Sequence, residues 1–280
     1  MHNKLSNRLV REGKVALNDA ALHYLVYGNG EKTIICFHGH GKSAKDFSFL
    51  SADDRRIISV NLFFHGESKL PLSRVEKNPI SPKELVSLFE VLLEKENVDK
   101  FHLVAYSQGG RFGLCLFPHF INRIKSAYFM AIDGMNDNNI YSRAPRRKSA
   151  RALFKYWTQK PKSMLFTAGV LAKLSIIHPK LLEILEYYAS DKERFLISYY
   201  AWAAFRKLRT DEQRLKQLLQ ENKVIFKVVT GEFDKIITTK TAQGFLERIN
   251  QPKALITIPW GHDFFKDEAK ELLLPILKFP

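Results

Sequence analysis

The sequence predicts an α/β fold: a mostly parallel central sheet with helices on both faces, interrupted by an inserted helical cap. Three observations carry this. Short apolar runs of strand-forming residues alternate with longer segments whose apolar residues recur at helical spacing. That alternation holds along both ends of the chain, the pattern of a parallel sheet covered on two sides. Between Gly134 and Lys223 it gives way to helical spacing with no strand signal.

Taken in order, Gly13 to Tyr27 alternates apolar and polar residues around Asn18-Asp19, an antiparallel hairpin ending at Gly28-Asn29-Gly30. Residues 33–37, Thr-Ile-Ile-Cys-Phe, form a short buried strand followed by a Gly/His turn, and residues 56–62 form another. The segment 81–95 sets Leu85, Leu88, Phe89, Leu92 and Leu93 on one helical face, with Ser81-Pro82 as its start signal. Phe101-His102-Leu103-Val104 is the next strand, and the helix after it, 111–117, is expected to stop at Pro118. A strand at 125–132 precedes the insertion. Two strand–helix pairs close the chain, 224–230 with 239–249 and 254–259 with 265–278. The expected organisation is a core made of residues 1–134 and 223–280, with a cap at 135–222.

With 280 residues and 45% hydrophobic content, the chain can bury a sizeable core around such an insertion. Cys36 and Cys115 both fall in apolar runs, which suits buried thiols better than a disulfide or a metal pair. The first eight residues lack the apolar core of a signal peptide. The most apolar later run, 164–177, is too short to span a bilayer and contains Lys173. The expectation is a soluble, cytoplasmic protein without a transmembrane segment. Net charge is +15, and between Tyr141 and Asn222 there are 17 Lys/Arg against 7 Asp/Glu. No nucleic-acid motif accompanies this charge and the cations are not gathered in one arm, so no nucleic-acid partner is expected.

The residues that carry chemistry follow the strand at 101–104. Ala105-Tyr106-Ser107-Gln108-Gly109-Gly110 places a serine on a sharp strand-to-helix turn with small residues two before and two after it. Such a turn is strained and brings strand and helix together, so larger neighbours would clash, and it lifts the hydroxyl above the sheet. Ala105 occupies the first glycine place of the Gly-x-Ser-x-Gly pattern. A serine hydroxyl needs a base, and the base needs an orienting acid. Gly231-Glu232-Phe233-Asp234 supplies a carboxylate after one expected strand, and Trp260-Gly261-His262-Asp263 an imidazole after the next. Loops at the C-terminal ends of parallel strands converge, and the order Ser107, Asp234, His262 suits a triad on such a sheet. Asp133, in Ala131-Ile132-Asp133-Gly134, and Asp263 compete for the acid's place, and Asp234 would also suit a turn or a helix N-cap.

Phe37-His38-Gly39-His40-Gly41 follows an early strand, where glycines would let backbone N–H groups approach a developing oxyanion. The overlapping Gly39-His40-Gly41-Lys42-Ser43 looks like the end of a phosphate-binding loop, but that motif's first glycine would fall at Cys36, inside a strand. Cys-x-x-Cys and His-Glu-x-x-His spacings are absent, so no metal is expected.

On the His38-Gly39 turn, Phe64-His65-Gly66-Glu67-Ser68, the elbow at Ser107, Gly-x-x-Asp at Asp234 and Gly-His at His262, the chain resembles the α/β-hydrolase superfamily, close to its capped, esterase-like serine hydrolases. The resemblance spans nearly the whole length outside the insertion. It implies Ser107 as nucleophile, His262 as general base and then acid, Asp234 as orienting carboxylate, and the backbone N–H groups of His40 and Gln108 as oxyanion hole. Serine at 107 separates the chain from branches that use aspartate. Asn61 and Phe64 stand where relatives often have Asp and Gly, and Thr238 where proline is common after the acid. The implied reaction is hydrolysis of a carboxylic ester or thioester through an acyl-serine intermediate, without a cofactor. Alternatives on the same fold are acyl transfer, C–C hydrolysis, a cofactor-free lyase reaction and a non-catalytic ligand-binding role. Most of the insertion's dense aromatics are expected to pack as a small hydrophobic core; a few facing the serine would suit a small-molecule substrate with an apolar acyl or aryl part. The cluster Arg143, Arg146, Arg147, Lys148 and Arg151 reads either as a solvated face or as a site for an anionic portion of that substrate. His38 and His65 are expected to fix turns.

Overall fold

The computed structural model describes residues 9–136, 140–175 and 179–280. Two compact units divide them. One takes the described residues up to Pro71, Ile80–Asn136 and Lys207–Pro280; the other takes Leu72–Pro79 and the described residues from 140 to Arg206.

The first unit is built on a sheet of eight strands, β1 (Leu9–Leu17), β2 (Ala20–Tyr27), β3 (Lys32–Phe37), β4 (Arg55–Val60), β5 (Phe101–Tyr106), β6 (Ile124–Met130), β7 (Ile225–Gly231) and β8 (Leu255–Ile258), in the order β1-β2-β4-β3-β5-β6-β7-β8. The hairpin β1–β2 and its junction with β4 are antiparallel; every other pair is parallel. Asn18 turns the hairpin at φ 53°, a left-handed conformation that asparagine tolerates. Along the central strands alternate side chains enter opposite faces of the sheet. Cys36, Val104, Tyr106, Tyr128 and Met130 pack with Phe47, Phe264, Phe265 and Leu273. On the other face Phe37, Phe101 and Phe129 meet the rings of Phe89, Phe112 and Phe117. Burial on both sides is why these strands read as continuous apolar runs.

The helix Pro82–Lys95 starts where its signal stands: the Ser81 hydroxyl accepts the Glu84 N–H, Pro82 occupies the first turn, and Leu85, Leu88, Phe89, Leu92 and Leu93 are buried. Two expected endings are corrected. The helix after β5 runs Gly109–Phe120 with Pro118 inside it. The proline falls in the last turn, so only one intrahelical bond is forfeited before the helix ends anyway. The final helix covers only Asp267–Leu273, stopping two residues before Pro275, which disfavours helical backbone in the residue it follows.

Just past the C-terminus of the helix Pro82–Lys95, buried Glu96 ties three segments together. It accepts from Arg11 and Arg56 and from the Tyr24 hydroxyl, pinning the hairpin, β4 and the helix end to one carboxylate. Both thiols are free and buried; burial raises the Cys36 thiol and pushes Cys115 up to about 12.

The second unit is helical, with Leu72–Lys77, Lys148–Gln159, Pro161–Lys173, Pro179–Ala189 and Lys192–Ala204 as its longer helices. Phe154 meets Phe195, Tyr199 and Trp202 with ring centroids 5.1–5.6 Å apart. Glu76 explains why 72–79 joins this unit: it accepts from Arg151 at 2.8 Å and from the Tyr199 hydroxyl, while Arg206 binds the Val75 and Glu76 carbonyls. Arg151 is therefore buried rather than part of an exposed basic cluster. The helix Glu212–Glu221, inside the segment 135–222 expected as cap, belongs to the sheet unit. Leu215 is buried there, Glu212 pairs with Arg248, and Thr210 donates to the Gly134 carbonyl. Among the described residues, no helix is long and apolar enough to cross a membrane, and no cluster of three His, Cys, Asp or Glu residues is arranged to hold a metal.

Candidate active site

Ser107 stands between the end of β5 and the helix Gly109–Phe120, at φ 48°. A non-glycine residue in this left-handed region carries strain, held here by backbone bonds on both sides. The Ser107 N–H donates to the Met130 carbonyl at 3.0 Å, and the Ser107 carbonyl accepts from Gly110 at 2.9 Å and Asp133 at 2.8 Å. The small neighbours are required by close approach. A Cβ on Gly109 would lie 2.3 Å from the Phe37 carbonyl oxygen. Ala105, the departure from glycine, is accommodated across the interface: a Cβ on Gly113 would stand 3.0 Å from that of Ala105 and 2.9 Å from the Phe129 ring. The helix thus has its own glycine where it meets the alanine methyl. Gly113 was missed in the sequence, although its place in the turn after Gly109 was a signal.

The loops after β7 and β8 bring the other two residues to Ser107. His262 Nε2 lies 3.1 Å from Ser107 Oγ, and His262 Nδ1 lies 2.7 Å from Asp234 Oδ2. An ionised carboxylate only accepts, so the neutral ring carries its proton on Nδ1 and turns the Nε2 lone pair to the serine. The Asp234 side chain is fully buried, and its Oδ1 accepts the N–H groups of Ile236 and Ile237 at 2.7 and 2.9 Å. Both of its oxygens are thereby committed, one to its own turn and one to the imidazole.

Neither rival acid is in that position. Asp133 forms a two-pronged pair with buried Arg111, at 2.6 and 3.0 Å, and caps the Gly134 N–H. Asp263 binds Lys42 at 2.8 Å and accepts the Phe265 N–H, and its carboxyl is held below the usual carboxylate range against the desolvation that opposes this. Lys42 is the lysine of the phosphate-loop look-alike; with Ser43 capping the turn at Ala44–Leu50 together with Asp46, that segment is committed to internal contacts.

The loop 38–41 packs directly on the elbow: a Cβ on Gly39 would meet Ser107 Cβ at 2.9 Å and the Tyr106 ring at 2.8 Å. His38 donates Nδ1–H to the Gly39 carbonyl at 2.7 Å and accepts the Leu62 N–H on Nε2 at 3.0 Å. His65 bonds the Phe63 carbonyl and, more loosely at 3.4 Å, the Gly41 N–H. Burial, with His65 adding, lowers His38 and His40 to about 3, so both rings are neutral near pH 7. Gln108 immediately precedes the helix Gly109–Phe120, where the positive end of the helix dipole stands. Phe64 adopts φ 68°, the conformation for which glycine is suited, so its departure from the family pattern is a strained one.

Several supports escaped the sequence reading. Tyr106 donates its hydroxyl to the His262 carbonyl at 2.8 Å. Phe233 donates its N–H to the Trp260 carbonyl, locking the acid loop to the histidine loop. Lys42 links the 38–41 turn to the residue after His262. Each joins positions far apart in the chain through an ordinary residue type, so local pattern carried no mark of them. Asn61 accepts the Ala44 N–H and meets His23, a polar joint beneath the same loop.

Comparison with known proteins identifies the fold. The model of the family described as "alpha/beta hydrolase fold" matches residues 32–269. Among solved structures, a thermophilic esterase from Thermogutta terrifontis, with malate bound, is 15% identical with a TM-score of 0.66, covering 95% of this chain and 97% of that one. The enol-lactonase of Burkholderia xenovorans LB400 is 17% identical with a TM-score of 0.60, over 94% and 98%. A hydrolase from Pseudomonas aeruginosa PA01 is 18% identical with a TM-score of 0.61, over 95% of each chain. At these identities the likeness is one of fold. No curated protein matches the sequence.

Proposed function

The chain belongs to the α/β-hydrolase fold family, and from that premise we propose that it is a serine hydrolase cleaving a carboxylic ester or thioester through an acyl-serine intermediate. One observation carries the reading: the unbroken line from Ser107 Oγ through both nitrogens of His262 to buried Asp234, at 3.1 and 2.7 Å. In the proposed reaction Nε2 takes the serine proton as Oγ bonds to the substrate carbonyl carbon, and the C=O electron pair moves onto oxygen. Asp234 keeps the ring in its working tautomer and stabilises the imidazolium. The N–H groups of His40 and Gln108 receive the oxyanion. Collapse of the tetrahedral intermediate expels the alcohol or thiol, protonated by His262. Water then repeats the sequence on the acyl-serine. The esterase and lactonase activities named for similar folds support ester chemistry. We assign acyl selectivity to the aromatic-rich helical insertion, acting as a cap, with an apolar acyl or aryl group as its substrate.

The test is hydrolysis of p-nitrophenyl esters of increasing chain length by wild type and Ser107→Ala, each shown folded. The variant is expected to lose at least about 10⁴-fold in kcat, and wild type to favour apolar acyl groups. Equal rates would overturn the assignment of Ser107; a flat length profile would overturn that of the acyl group.

A further inference from the structure

The helical unit carries a surface that ester hydrolysis does not require. Residues 138–182 contain ten Lys/Arg and no Asp or Glu, in a chain with 29 acidic residues. Arg151 turns inward to Glu76, but Lys148, Lys155, Lys160, Lys162 and Lys173 are exposed. Large apolar side chains stand exposed among them: Phe166 at 75%, Leu174 at 63% and Val170 at 42%. These three are four residues apart along the helix Pro161–Lys173 and its C-cap, so they form one stripe. Leu153 and Tyr156, on the preceding helix, are each 46% exposed.

The stripe is not the helix's inward face. Met164 and Ala168 occupy that side and are buried. A surface helix in water ordinarily keeps its outer face polar. Scattered exposed apolar residues need no explanation, but a continuous stripe bordered by lysines has the composition of a helix lying in a membrane interface.

We propose that this face of the helical unit docks on the surface of an anionic lipid bilayer. Phe166, Val170 and Leu174 enter the boundary between headgroups and acyl chains, and the surrounding lysines meet lipid phosphates. Charge and apolarity together select this partner. A nucleic acid would engage the cations and leave the aliphatic stripe without a role. A second copy of the chain would bring the same uncompensated positive charge against itself.

The experiment is co-sedimentation of the full chain with vesicles of equal phosphatidylglycerol and phosphatidylcholine, or of phosphatidylcholine alone, across a salt series. Binding is expected to be at least roughly tenfold tighter to the anionic vesicles and to weaken with salt. Phe166→Ser with Leu174→Ser is expected to weaken it at least roughly tenfold, with near-ultraviolet dichroism unchanged. Lys160→Gln, Lys162→Gln and Lys173→Gln together are expected to weaken it by roughly fivefold per lysine at low salt; these exposed positions keep the test decisive if the apolar variant does not fold. Equal partition onto both vesicle types, or none onto either, would overturn the proposal. So would lipid-free self-association abolished by the serine substitutions, or duplex DNA binding that anionic vesicles fail to displace.

Discussion

Asp234→Asn changes one functional group and leaves its shape alone. In the native chain Oδ1 accepts two backbone N–H groups at 2.7 and 2.9 Å, and Oδ2 accepts His262 Nδ1–H at 2.7 Å. The asparagine carbonyl satisfies the two backbone donors, which leaves its NH₂ facing His262. That NH₂ only donates, so Nδ1 must become an acceptor and the ring proton moves to Nε2. Nε2–H then faces Ser107 Oγ across 3.1 Å with no lone pair to take the serine proton. In serine triads this tautomer error costs about 10⁴ in kcat, equivalent to about 5 kcal/mol of transition-state stabilisation. Folding is hardly touched, because the buried hydrogen bonds are retained in number; a change within about 1 kcal/mol is expected. The assay is kcat and KM on the best p-nitrophenyl ester, beside a urea titration of the same preparation. A folded variant within about tenfold of wild-type kcat would refute the reasoning. A larger loss from Asp133→Asn would locate the working acid elsewhere.

Asp133→Ala removes the carboxylate that pairs with the buried Arg111 guanidinium, so about 3 kcal/mol of stability is expected to go; a urea midpoint equal to wild type would refute the pairing's importance. Gly113→Ala sets a methyl 3.0 Å from Ala105 and 2.9 Å from Phe129, costing about 1–3 kcal/mol. Adding Ala105→Gly is expected to recover part of that loss, and an additive double variant would show that the two positions do not meet. Acid stability follows from the histidines. Burial, reinforced by His65 or Lys125, holds His38 and His40 at about 3 and His102 at about 4 in the folded chain, against 6.5 unfolded. Below pH 6.5 the unfolded chain binds protons that the folded chain refuses, so stability is fully present above that pH and falls as pH drops toward 4. Urea midpoints at several pH values check this, with His102→Gln expected to flatten the fall.

The sequence by itself determined the elements and the order of the chemistry. Alternating apolar runs mark strands buried on two faces, and the five residues that Leu85 to Leu93 place at helical spacing are the five the helix buries. Both signals are local consequences of backbone period, so they are legible without a fold. The elbow is legible for the same reason: strain at Ser107 demands small neighbours a fixed distance away. Tertiary structure decided what depends on arrivals from distant parts of the chain. The sequence favours Asp234 as the acid but leaves Asp133 and Asp263 as rivals near strand ends. They differ because Arg111 reaches Asp133, Lys42 reaches Asp263, and the imidazole of His262 reaches Asp234. Arg151 looks like a member of a basic run until Glu76, 75 positions away, draws it inside. Pro118 looks like a helix stop, but its cost depends on how few turns remain after it. Periodicity is a property of neighbours in sequence; the partner a charge finds is set only when the strands and helices have packed.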